Sequence, residues 1–136
     1  MIVYIASPYT SHADKQSAVD AQIDAAGQLL LAGYEPIAPL LSHYIDLRYP
    51  LPYARWMQWC MALVAVSDAV LRLPGASVGA DSEVARAQEL GKPVAYSVQE
   101  LAAFAPHAIT RDELMAANQQ AAQDIHDFVS GKLRME

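Results

Sequence analysis

The chain has 136 residues, 54% of them hydrophobic and 18% charged, which fits one domain, is too short for two full cores and argues against disorder. With 9 Lys+Arg against 15 Asp+Glu, a net charge of -6, it lacks the clustered cations needed to grip a nucleic-acid polymer. Its one cysteine, Cys60, leaves no intrachain disulfide and no cysteine zinc site, and makes a reducing cytoplasm the expected location.

Residues 1–6 begin the chain with a β-rich apolar run (Ile2, Val3, Tyr4, Ile5) suited to a strand covered on both faces. No basic segment precedes an apolar core there, so no secretory signal is expected. Ser7-Pro8-Tyr9-Thr10 breaks the strand, because Pro8 cannot donate to a ladder and pushes Ser7 away from the helical region. Residues 12–32 carry a helical pattern in Ala18, Ala21, Ala25, Gln28, Leu29 and Ala32, and Gly33 stands where a left-handed cap belongs. Residues 34–39 read as a second strand at an edge, bounded by Pro36 and Pro39. Residues 40–52 read as an aromatic, proline-containing loop of functional length. A helix follows over 53–66, a third strand over 68–73, a turn of small residues over 74–79, a helix over 80–90 and a fourth strand over 92–96. Residues 98–104 suit a short helix. Thr110-Arg111-Asp112-Glu113 forms a capping box before a helix striped by Leu114, Ala117, Ala121, Ile125 and Phe128. The longest apolar runs lie within 28–33 and 61–66, well below the ~20 residues of a membrane span.

Strands alternating with helices predict a single α/β domain of the flavodoxin or Rossmann-like three-layer type. It would have a four- to five-stranded, mainly parallel sheet over a core of 1–97 and a C-terminal amphipathic helical extension over 98–136. Right-handed crossovers then gather the loops at 7–10, 40–49 and 75–80 at one sheet edge, where ligands bind in such folds.

The segment 68–94, DAVLRLPGASVGADSEVARAQELGKPV, runs strand, turn, helix. Free amides at the helix start can take an anion. The turn has neither the Walker glycine-lysine pair nor the three-glycine dinucleotide fingerprint. Glu83 falls within the first two turns, where the helix dipole favours an ionised carboxylate. Two uses fit that placement: a solvated carboxylate complementing the dipole, or a nucleophile for a sugar's anomeric carbon, as in retaining glycosidases.

S-V-G-A-D-S-E-V-A-R-A-Q-E-L-G-K-P-V resembles the signature of the nucleoside 2-deoxyribosyltransferase superfamily, which also includes deoxynucleoside 5'-monophosphate N-glycosidases. V-Y-I-A-S-P-Y-T resembles that family's first strand and base-side loop, and the D-A-V strand fits its outline. The similarity covers roughly residues 1–97. It implies Glu83 as nucleophile and Tyr4 as the hydroxyl that steadies it. It also implies substrate contacts from Ser7, Pro8, Tyr9, Ser77 and Gly79. A serine at the position of Ser77 marks the monophosphate hydrolases, and a neutral hydroxyl tolerates a dianion that an aspartate would repel.

Three positions depart from the pattern. Cys60 stands where many relatives carry an aspartate that serves the departing base, and a thiol is a weak substitute. Asp81 occupies a site usually small; its two uses are a substrate contact in place of the missing acid and a helix-start carboxylate, and the second is preferred because residues two apart on a helix do not share a face. The first loop lacks the arginine of the monophosphate hydrolases, leaving Thr10 and His12. His43 falls in a loop facing the same crevice and could meet a phosphate or base, or pack on Tyr44 or Tyr49. Trp56 and Trp59 share a helix face, with base stacking or core and interface packing as their uses. His12, His107 and His126 are too scattered for a metal site, and the chemistry implied needs no cofactor.

The resemblance thus implies a small-molecule nucleoside or nucleotide as partner and an N-glycosidase that cleaves a nucleoside 5'-monophosphate through a covalent glycosyl-glutamate. Base exchange by a 2-deoxyribosyltransferase and a non-catalytic nucleotide-binding module are the alternatives. It also implies a homodimer or higher homo-oligomer.

Overall fold

The computed structural model describes residues 1–10, 14–104 and 111–132. In chain order the elements are β1 (Ile2–Ala6), α1 (Lys15–Leu31), β2 (Glu35–Ile37), a 3-10 turn (Pro39–Leu41), α2 (Ser42–Arg48), α3 (Tyr53–Val66), β3 (Ala69–Arg72), α4 (Val78–Glu89), β4 (Val94–Ala95), α5 (Val98–Leu101) and α6 (Arg111–Val129). Four strands form one all-parallel sheet in the order β2-β1-β3-β4.

Period-two alternation splits the apolar residues of the central strands between two cores. Val3 and Ile5 of β1 join Ala69 and Leu71 of β3 against Ala25 and Leu29 of α1 and Leu101 of α5. Tyr4, Ala6 and Val70 turn the other way, onto Val64 of α3 and Ala80 and Ala87 of α4. The result is a Rossmann-like three-layer fold, and it explains why β1 reads as a nearly unbroken apolar run. The sheet edges are modest. β4 has two residues, and β2 has three, with Pro36 in the middle. Glu35 donates its N–H inward to Met1 O at 3.0 Å, so the nitrogen of Pro36 faces the open edge with no hydrogen to offer.

Caps fix the helix ends. Asp14 Oδ1 accepts from Gln16 N at 3.0 Å at the start of α1, and Gly33, at φ 91°, follows its end. Ser77 caps α4, so this helix begins at Val78, two residues before the start expected from the sequence. Gln22 of α1 is almost fully buried. Its Nε2 donates to Ile5 O and Ser7 Oγ, both at 2.9 Å, and its Oε1 accepts from Leu40 N at 3.0 Å. One amide thus ties the end of β1 to the turn after β2.

One expectation needs correction. Residues 40–52 are not an open loop, since the 3-10 turn and α2 occupy most of them. No residue of α2 is buried, so it carries no apolar stripe for periodicity to detect. The apolar stripe of α6 is largely open: Leu114 is half-buried, whereas Ala117, Ala121, Ile125 and Phe128 are exposed. The Thr110 cap, His12 and His107 lie outside the described residues. Among the described residues, no helix is long and apolar enough to cross a membrane.

The loops after β1 and β3 meet at Gly75. Its φ of +115° is a glycine conformation, and a Cβ there would fall 2.8 Å from Pro8 Cγ. Gly75→Ala should therefore cost roughly 1–3 kcal/mol. In urea titration the midpoint should fall while the slope stays unchanged.

Candidate active site at the carboxyl edge of the sheet

A cleft of about 110 Å³, open to solvent, lies at the carboxyl edge of the sheet. The segment after β1 supplies Ser7 and Tyr9, and the 3-10 turn and α2 supply Leu40, His43 and Asp46. Tyr53, Trp56, Met57 and Cys60 of α3 form another wall, and the first turns of α4 close it with Ser77, Gly79 and Glu83.

Glu83 lies on the same α4 stripe as Ala80 and Ala87, the helix's other two buried residues. That stripe packs on the sheet, so the carboxyl is drawn inward to the cleft floor. Burial pushes it from its ordinary 4.5 up to about 7, with the Tyr4 hydroxyl and the Arg72 charge pulling the other way. The sequence expectation of an ionised helix-start carboxylate is thereby corrected: near neutrality the group is shared between its two forms. Tyr4 is fully buried and backs the floor from β1 without lining the cleft. Burial first, then the neighbouring Glu83 and Cys60, hold its phenol well above the ordinary range. Among the described residues, Tyr4 Oη and Glu83 Oε2 are the buried side-chain polar atoms without a hydrogen-bond partner. They are close enough to influence each other's titration, yet no bond between them meets hydrogen-bond geometry. Burial also raises the Cys60 thiol to about 11, against the Tyr4 hydroxyl and with the Glu83 charge, so it stands in the wall as a neutral group.

The remaining sequence-assigned residues divide. Tyr9 Oη and His43 Nδ1 are 2.7 Å apart, and the Tyr9 phenol is raised by burial and by Asp46. Lys15 Nζ donates to the carbonyls of Tyr9 (2.6 Å) and Thr10 (2.9 Å), which fixes this loop. Ser77 Oγ accepts from Ala80 N at 3.1 Å. Gly79 lets α4 approach α3, because a Cβ there would stand 3.0 Å from Tyr53 Oη. Pro8 is not in the cleft lining and packs on Gly75. Asp81, a candidate substrate contact in the sequence, is also outside the lining. Its carboxylate, 72% exposed, pairs with Arg72 at 3.0 Å on another side of α4. Arg72 also donates to the carbonyls of Leu73 and Gly75.

Sequence reasoning missed Tyr53, Met57 and Asp46, and it left Trp56 divided between a base and the core. A signal was present: 53, 56, 57 and 60 follow the i, i+3, i+4, i+7 pattern of one helix face. Asp46 had none, because its place depends on α2. Its Oδ1 accepts from Trp56 Nε1 at 2.8 Å and from Leu51 N at 3.1 Å. These bonds, Leu51's foremost, hold its carboxyl below the ordinary range. Among the described residues, no group of three or more His, Cys, Asp or Glu is arranged to hold a metal ion.

Residues 1–96 match the model of a family described as Domain of unknown function (DUF4406). No curated protein and no solved structure matches the chain.

The Glu83 value has a consequence for stability. Its folded-state value lies above the unfolded one, so the folded protein binds more protons between 4.5 and about 7. Stability is lost as pH rises through that window, by about 3 kcal/mol in full. Glu83→Gln removes the titration. Relative to wild type, its unfolding free energy should be higher by roughly 2–3 kcal/mol at pH 8 than the difference seen at pH 4. Urea unfolding at both pH values checks this.

Proposed function

The chain belongs to the DUF4406 family, whose description assigns no activity, and we propose that it is an N-glycosidase that cleaves the base–sugar bond of a nucleoside 5'-monophosphate. The observation that carries the reading is the buried, unpartnered Glu83 carboxyl at the cleft floor, backed by the equally unpartnered Tyr4 hydroxyl. An unsatisfied buried polar group costs roughly 1–3 kcal/mol. A sugar whose C1' and hydroxyls reach the floor offers partners for it. The resemblance of 77–94 and 3–10 to the nucleoside 2-deoxyribosyltransferase superfamily supports the same assignment.

In this mechanism the ionised Glu83 attacks C1' as the C1'–N bond breaks. The bonding electron pair leaves with the base nitrogen, which takes up a proton from solvent or from the Tyr9–His43 pair. The transition state has oxocarbenium character, and the negative carboxylate stabilises it. Tyr4 acts through Glu83 and is a positioning residue. Water then adds to C1', releasing Glu83 and the sugar phosphate. A second base taking the place of that water would give base exchange from the same intermediate. The proposed assembly is a homo-oligomer, supported by the exposure of Tyr44, Leu47, Tyr49 and Tyr53 around α2 and the start of α3. Light scattering at micromolar concentration should read a mass above one chain.

Chromatography of free base from a panel of nucleosides and 5'-monophosphates tests the activity. Glu83→Ala and Glu83→Gln should lower release on the order of a thousandfold or more while the fold survives. Full activity in either variant would remove the proposal. Because the nucleophile must be ionised, kcat/KM should climb as pH rises through about 7 and level off above it.

A further inference from the structure

The hydrogen bonds of Gln22 fix more than a loop. A backbone N–H only donates and a backbone carbonyl only accepts. Leu40 N therefore faces Oε1 of Gln22, and Ile5 O faces Nε2. Of the two Nε2 hydrogens, one goes to Ile5 O and the other to Ser7 Oγ, 2.9 Å away. The serine oxygen is thus the acceptor in that bond. Its own hydrogen cannot be directed at Gln22, and the hydroxyl makes no other hydrogen bond among the described residues. Ser7 is buried against the protein yet lines the cleft.

We propose that Gln22 is a positioning residue that fixes the Ser7 hydroxyl as a hydrogen-bond donor facing the cleft, where it serves an acceptor oxygen of the substrate. The inference rests on the nucleotide-cleaving reading for its ligand. The acceptor is an oxygen rich in lone pairs, which a 5'-phosphate and a sugar ring or hydroxyl both provide. Gln22 itself touches no ligand and works only through the polarity it imposes on Ser7.

Substitutions that reverse or remove that polarity test the idea. In Gln22→Glu, a carboxylate of the same shape cannot donate to Ser7, and even a protonated carboxyl would give its one hydrogen to Ile5 O. The Ser7 hydroxyl then donates to residue 22 and is withdrawn from the cleft. Gln22→Met removes the donor to Ser7 and puts nothing in its place, so the hydroxyl keeps its hydrogen but loses its fixed orientation; this variant serves should the glutamate one fail to fold. Ser7→Ala removes the donor outright, and Ser7→Thr keeps it.

Steady-state base release should show KM raised ten- to a hundredfold in Ser7→Ala with kcat unchanged, the range expected for one hydrogen bond to substrate. Gln22→Glu should match it and Gln22→Met should move part of the way, and in the double variants KM should stay within about twofold of its value in Ser7→Ala alone. Ser7→Thr should recover most of the loss. If the preference for a 5'-monophosphate over its nucleoside disappears in Ser7→Ala, the acceptor is a phosphate oxygen; if both substrates weaken equally, it is a sugar oxygen. Unchanged kinetics in Ser7→Ala, or fully additive losses in the double variants, would overturn the proposal. Equilibrium binding of the same two ligands, followed through tryptophan fluorescence with Trp56 in the cleft wall, separates the two readings. Ligand binding without base release, weakened in Ser7→Ala, supports the Ser7 donor and removes the glycosidase. Base release with Ser7→Ala indistinguishable from wild type does the reverse, and a wild type that binds neither ligand removes both.

Discussion

The desolvation of one carboxyl group organises this molecule's chemistry. Glu83 is the sixth residue of α4 and sits on the stripe that Ala80 and Ala87 press against the sheet. The dipole of the helix acts mainly within the first turn and is worth roughly 0.3–1 kcal/mol at an exposed site. Burial, net of the opposing Tyr4 and Arg72 contributions, amounts to about 3 kcal/mol in the other direction. Burial wins, so the group is held near its titration point instead of being held ionised. A fold that accepts such a penalty beneath a cleft gives up stability where a glutamine would not.

Much of the architecture was legible in the chain because apolar periodicity records burial. The strands around Tyr4 and Val70 and the glycine after α1 stand where the pattern puts them. The misreadings share a cause. α2 buries none of its residues, so its helical character leaves no stripe, and with α2 unseen the partner of Trp56 was unseen as well. The ionisation of Glu83 was read from its place along a helix, but it is decided by what lies across from that helix. Gln22 reaches partners 15 to 18 residues away, and nothing local to it in the sequence announces them. Asp81 carries the right chemistry for a ligand contact but points to Arg72, as its spacing from Glu83 on a helix requires.

The walls of the cleft are held chiefly by single polar side chains. Gln22 pins the end of β1 to the turn after β2, Asp46 ties α2 to α3 through the indole of Trp56, and Ser77 fixes the first turn of α4. Each uses directional bonds where a small domain has little apolar volume to spare. Lys15 holds the tyrosine loop in the same manner through two carbonyls. The site is thus shaped by geometry-specific contacts laid over a sheet that is itself held by dispersion and burial.

The unassuming borders of that sheet bear on its resistance to misassembly. One border is a three-residue strand whose outward nitrogen belongs to Pro36, and the other is only two residues long. Neither can serve as a template for adding a foreign strand, the usual first step of runaway β-aggregation.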